Sequence, residues 1–306
     1  RHLYDCLDCS NQFSETKNTM AYRLKTPLSK ISTILKVRTE GLGFNATCRT
    51  FKISGNTLVN WEMRFAEMAQ VLLLYSLTHS FIVQVIEGDE LYTKVKKNLP
   101  PAQSSGWTIV LMERASRFLW HLECGRKDKN LFKKAMAKLA SIIDKTEDIT
   151  LLTDGERRYG SLLFDLCSKV LGTKRRGRPK KTLKRGIKVR IKNKGSQSKK
   201  RGHKLKKYQA PWPEHPETKQ NLDESDIHAN HVEGFNAAHR RKTSPYRRKT
   251  NTYAKGKNGF QRILDCRLLF HNFVEKHFTT NIIPAVALGI LKSGLTIAEI
   301  FLIPIS

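Results

Sequence analysis

Acidic residues are scarce in this chain. Its 306 residues include 27 Asp and Glu against 56 Lys and Arg, a formal net charge of +29. Such an excess destabilises a compact fold through self-repulsion, so a polyanion is expected to screen it. Nucleic acid comes first, ahead of an anionic membrane surface or a ribosomal setting. Closely spaced cysteines are also few. Of Cys6, Cys9, Cys48, Cys124, Cys167 and Cys266, only the first two are near neighbours. That pattern excludes a disulfide framework, and no secretory signal pattern is present, so the expected setting is reducing and cytoplasmic. Long apolar runs are missing too. The stretch 282–306 is broken by Lys292 and Glu299 and reads as a packing helix, not a membrane span. No internal repeat is visible.

What is present begins with "DCLDC". A Cys-x-x-Cys pair with an aromatic residue nearby, Phe13, looks like one knuckle of a zinc ribbon. A tetrahedral zinc site takes four ligands, and Cys6 and Cys9 supply two. The segment 1–20 therefore reads as half a zinc ribbon, with the second ligand pair expected ahead of Arg1. The bland alternative is two ordinary cysteines.

Segment 21–70 reads as a helix-turn-helix domain. Ile31, Ile34, Leu35 and Val37 suit one helix, "EGLGF" breaks it, and Ala46, Cys48 and Phe51 suit a second. Ser54 is a candidate N-cap for a third helix with Leu58, Trp61 and Phe65 inside. Asn56, Thr57 and Asn60 would then meet base edges in the major groove. The alternative is a small helical bundle that packs on the next domain.

From residue 81 the pattern changes to apolar strands: "FIVQVIEGDELY", "GWTIVLMER" and "RFLWHLECG". A helical pattern follows over 129–143, then a fourth strand, "DITLLTDG", and a helix from 157. The order is three strands, helix, strand, helix, which predicts an α/β unit with a mixed sheet. Residues 174–207 hold 18 Lys and Arg and no acid. Within them "RRGRPKK" resembles an AT-hook, so Arg176, Arg178, Lys180 and Lys181 are candidate DNA contacts. A plain phosphate-binding loop explains the same residues. "GIKVRIK" alternates and predicts a strand whose basic face meets DNA. Residues 226–243 and 260–277 predict two further helices.

Three acids stand out. Asp89 ends the first strand, Asp154 follows the fourth, and Glu233 lies on the later helix. Carboxylates gathered at strand ends repel one another unless cations sit between them, and hard oxygen ligands suit Mg²⁺ or Mn²⁺. Two such ions stabilise both the attacking and the leaving oxygen of a phosphodiester. Each acid has a bland reading: Asp before Gly is a common turn device, Glu87 and Glu90 lie beside Asp89, and Glu233 suits a solvated helix. The order of the three acids along the elements is that of RNase H-like nucleases.

The blocks "EGDELYTKV", "WTIVLMERASRFLWHLECGRKDKNLF", "LLTDGERRYG" and "NHVEGFNAAHRRKTSPYRRKTNTYAK" resemble DDE transposases of the insertion-sequence-1 type, over most of the chain. The resemblance implies an RNase H-like mixed sheet flanked by helices over 81–280, carrying a basic insertion at 174–225. A zinc-ribbon remnant and a helix-turn-helix would precede it, and a helical tail, 281–306, would follow. It implies Asp89, Asp154 and Glu233 as catalytic metal ligands, with Asn230 and His231 supporting them. Asn236 and Arg240 lie in the same block, expected to steady the helix or meet the DNA backbone. Arg240, Arg248, Lys249 and Lys255 would touch DNA. The implied partners are double-stranded DNA, as terminal inverted repeats and target, and further copies of the chain on that DNA, with no membrane. The implied location is the cytoplasm, at the nucleoid. The missing cysteine pair and the long insertion depart from the family pattern. They leave a second expectation open, a truncated copy that binds DNA ends as a repressor without cutting.

Overall fold

The computed structural model of the chain describes residues 3–97, 99–171, 179–192, 208–220, 223, 226–247 and 251–305. Strands β1 (Leu3–Asp5) and β2 (Gln12–Ser14) form an antiparallel hairpin at the N-terminus. Its side chains are largely exposed, and Tyr4 and Phe13 stack across it at 5.8 Å.

Three helices follow where the apolar spacing predicts them: α1 (Leu28–Thr39), α2 (Phe44–Phe51) and α3 (Gly55–Ser76). The Ser54 side chain caps α3 by accepting from the Thr57 N–H at 3.1 Å. The inner stripe of α3 runs Leu58, Trp61, Phe65, Met68, Ala69, Leu72, Leu73, all buried at helical spacing. One polar group interrupts that stripe. Glu62 is buried, and its carboxylate accepts from Arg38 of α1 at 2.8 Å and from Arg262 at 3.1 Å. Buried charge persists only when paired, so this junction ties α1 and α3 to the later helix that carries Arg262.

The central sheet is built from β3 (Phe81–Tyr92), β4 (Trp107–Glu113), β5 (Leu119–Gly125), β6 (Thr146–Thr153), β9 (Ile187–Lys192) and the two-residue β10 (Tyr208–Gln209). The spatial order is β10-β9-β6-β3-β4-β5. The first three strands in sequence run antiparallel, while β6 lies parallel to β3 and β9 parallel to β6. This mixed order, with helices between the parallel strands, is compatible with an RNase H-like fold. β4 is buried along almost its whole length, as a strand covered on both faces must be.

Helix α4 (Lys129–Ile143) is capped by Asp128, which accepts from the Leu131 N–H at 3.0 Å. Helix α5 (Arg157–Cys167) is capped by Glu156. A small antiparallel pair, β7 (Ser168–Val170) with β8 (Lys181–Leu183), extends from α5. Gly160 faces Trp212 so closely that an added Cβ would meet its ring at 2.0 Å, so the segment that carries Trp212 is pressed onto α5. Helices α6 (Asn230–Lys242) and α7 (Lys257–Leu269) follow, and α7 runs on as a π-helical turn, Phe270–Val274.

Two expectations need correction. The tail does not form one packing helix: it holds two short helices, α8 (Pro284–Ala287) and α9 (Ile297–Leu302), separated at Gly289, whose φ is +80°. Phe301 of α9 nonetheless packs on Phe65 of α3, with ring centroids 5.8 Å apart. The basic face of β9 does not meet solvent either. Lys188 is buried and donates to Asp148 at 2.5 Å and to the Lys219 carbonyl at 2.9 Å, and Arg190 pairs with Glu214. Fixed acids on neighbouring segments already neutralise these cations. Among the described residues no helix is long and apolar enough to cross a membrane.

Candidate active site

The register of three parallel strands sets up the site. Gly88 pairs with Thr153, and Thr153 with Ile191. The next residues, Asp89, Asp154 and Lys192, therefore follow at one level across β3, β6 and β9. Alternation along β3 puts Glu87 and Asp89 on one face and Glu90 on the other. Helix α6 crosses the face of Glu87 and Asp89. Asn236 Nδ2 donates to Asp89 Oδ2 at 2.7 Å, and the Glu90 backbone N–H donates to Oδ1 at 2.8 Å. Even so, the Asp89 carboxyl is pushed up to about 6, first by burial and then by the nearby charges of Glu90 and Asp154.

Glu233 lies one helical turn before Asn236 on α6. Its side chain is half exposed and lies 3.9 Å from Lys192 Nζ. The three acids do not close into one tight cluster: among the described residues, the one set of three metal-ligating side chains within 4.8 Å of one another is Glu87, His228 and His231. Glu90, the competitor of Asp89, points away and pairs with Lys127 at 2.8 Å.

The sequence reading missed what Glu87 does. It is fully buried and makes three contacts. Oε1 accepts from His231 Nδ1 at 2.9 Å and from Arg114 Nε at 3.1 Å, and Oε2 accepts from the Val232 backbone N–H at 2.8 Å. Arg114 also donates to the carbonyls of Asp226 at 2.5 Å and His228 at 3.1 Å. The His228 ring is held below its ordinary pKa by burial and by the Arg114 charge. A guanidinium at the centre of this group, and a carboxylate already supplied with three donors, make it a latch between β3 and α6 and not a cation cavity. No local signal in the sequence marks it, since Glu87 and His231 are 144 positions apart.

A divalent cation fits the row of acids better. Asp89 and Asp154 repel each other, and Asn236 Oδ1 is buried with no hydrogen-bond partner among the described residues. These are hard oxygen donors of the kind Mg²⁺ and Mn²⁺ take.

The remaining expected residues are dispersed. His231 sits on the latch, and Asn230 is exposed at the start of α6. Asn56 and Asn60 are exposed on the first turns of α3 and Thr57 is half buried. Lys180, Lys181, Arg240 and Lys255 are exposed, whereas Arg176, Arg178, Arg248 and Lys249 lie outside the described residues. Cys6 and Cys9 occupy the loop of the β1–β2 hairpin. Hydrogen bonds from that loop, led by the backbone at Cys9, hold the Cys6 thiol below its usual range. Among the described residues no third ligand joins them.

No family model and no curated protein matches the chain. Among solved structures it is similar to a chain in the crystal structure of the Mos1 strand transfer complex, at 10% identity and a TM-score of 0.16. The match covers 45% of this chain and 53% of that one, so this chain spans about half the length of the chain it matches. A likeness that slight carries no weight; strand order and register do.

Proposed function

We propose that the chain is a metal-dependent DNA transposase of the insertion-sequence-1 type, which cuts at the ends of its own element and joins the freed 3′-hydroxyl to target DNA. The observation that carries this reading is the pair Asp89 and Asp154, level on adjacent parallel strands, with Asp89 held by Asn236 of the helix that bears Glu233. Asp89, Asp154 and Glu233 are the proposed ligands of Mg²⁺ or Mn²⁺. Bound there, the cation supplies Lewis-acid polarisation of a phosphodiester and a deprotonated oxygen nucleophile.

The chain's own residues have separate tasks in this reading. Asn236 orients the Asp89 carboxylate through its 2.7 Å hydrogen bond. The latch at Glu87 fixes the first turn of α6 and so the position of Glu233. Lys192 offsets the charge of Glu233. Arg240 and Lys255, exposed near this end of the sheet, hold backbone phosphates. Asn56, Thr57 and Asn60 read the terminal inverted repeats. Cys6 and Cys9 are two candidate ligands for a Zn²⁺ ion. Two element ends must be paired, so at least a dimer acts on DNA.

Cleavage of a labelled duplex carrying the element's end tests the proposal, with Mg²⁺ or EDTA, comparing wild type with Asp154→Asn. The expected result is Mg²⁺-dependent nicking in wild type, reduced at least about a hundredfold in the variant, with duplex affinity unchanged. Binding without nicking in both proteins sinks the enzymatic reading and leaves the repressor.

A further inference from the structure

A cleft of 800 Å³ opens at the far end of β3. Glu90, next in sequence to Asp89, lies at its edge, and its walls include Tyr92, Trp107, Tyr253, Lys94, Arg240 and Arg247. The three rings are partly exposed, which the packing of a core does not require. Tyr92 and Trp107 lie 5.1 Å apart, tilted by 45°. Cations lie over the rings. Lys127 Nζ, which also pairs with Glu90, is 4.5 Å from the Trp107 ring centre, and Lys94 and Lys255 are 4.6 and 3.5 Å from that of Tyr253.

Flat π surfaces flanked by ammonium and guanidinium groups match one ligand chemistry well. A base stacks on the rings while its phosphates meet the cations. An intact duplex offers only the phosphates, because its bases are already stacked on one another. An unpaired nucleotide offers both. The volume lies within the range of pockets that enclose small organic ligands, enough for a nucleotide or two. A peptide of acidic side chains would use the cations and leave the rings idle.

We propose that this cleft receives unpaired terminal nucleotides of a DNA strand. The assignment to DNA rests on the transposase reading, but the binding preference does not need catalysis. Tyr92, Trp107 and Tyr253 together form the binding surface.

The test uses the full chain in EDTA with fluorescence anisotropy. One probe is a blunt duplex. The other has the same number of phosphates but ends in three unpaired 3′ nucleotides. The expected result is roughly tenfold tighter binding of the overhang, in line with what stacking on an aromatic contributes. Tyr253→Ala and Trp107→Leu should each shrink that preference to within about twofold, with blunt-duplex affinity unchanged. Tyr253 stands on a surface loop, so its variant keeps the fold, and the blunt duplex serves as the internal check. Equal affinity for both probes in wild type overturns the proposal, as does a preference that survives both substitutions. The transposase reading fails separately, through absence of Mg²⁺-dependent nicking, and an overhang preference would stand even then.

Discussion

Asp265 of α7 is a buried acid outside the proposed site. Burial pushes its carboxyl up to about 6, against the hydrogen bond that Gln261 Nε2 donates at 2.9 Å. The folded chain therefore binds a proton here that the unfolded chain, with an ordinary pKa near 3.8, has released. Stability from this group is present below about pH 4 and is lost as pH rises through about 6. Asp265→Asn should thus be more stable than wild type at pH 7, by at most about 3 kcal/mol, and no more stable at pH 3.5. Urea unfolding at the two pH values checks this; an equal effect at both would show that ionisation is not the cause. Residues of this kind divide by how far their partners lie. The adjacency of Asp89 and Asp154 is legible in the sequence because each follows an apolar strand pattern and stands next to a glycine, although β3 does not end at Asp89 but continues to Tyr92. The hold of Asn236 on Asp89 is half legible, through its place one turn from Glu233. Lys188 is misread because its partner Asp148 lies 40 positions away and is brought near only by sheet register.

At the scale of elements, α6 has a mostly polar sequence and an N-cap, Ala229, that offers no side-chain cap. Glu87 takes over that task from the sheet by accepting the Val232 N–H. Glu87→Gln should cost about 3 kcal/mol, because it leaves the Arg114 guanidinium, itself nearly buried, without its charge partner. Hydrogen exchange across 229–236 should rise more than exchange in α4, which has its own cap at Asp128. Equal loss of protection in both helices would count against a local latch. Helix α4 is also the element read most accurately, since a capping acid and an unbroken apolar stripe define it locally. The tail is the least accurate: its apolar content says it packs, but not that Gly289 turns the chain with a positive φ. Likewise α1 to α3 are legible as helices. Their joint core with α7, through Glu62, Phe65 and Phe270, is not, because every contact there spans the length of the chain.

For the whole molecule, charge is the dominant fact. With +29 to screen, affinity for duplex DNA should fall steeply with salt. A protein meeting six or more phosphates loses on the order of a thousandfold between 50 and 200 mM salt. Anisotropy titrations at several salt concentrations give the slope, and a flat one would mean that the cations are spent on internal acids, as Lys188 and Arg190 are. The pairing of β9 with β10 bears on the same question. Lys192 and Tyr208 are paired on antiparallel strands, so the two strand ends that bracket 193–207 in sequence share one rung. The closure entropy of such a segment grows only as the logarithm of its length. Its composition can therefore drift, lengthen or be exchanged between related chains while the acids on β3 and β6 keep their spacing. The stretch between β9 and β10 is in that sense an interchangeable fitting, unlike β9 itself, whose Ile187, Val189 and Ile191 belong to the core.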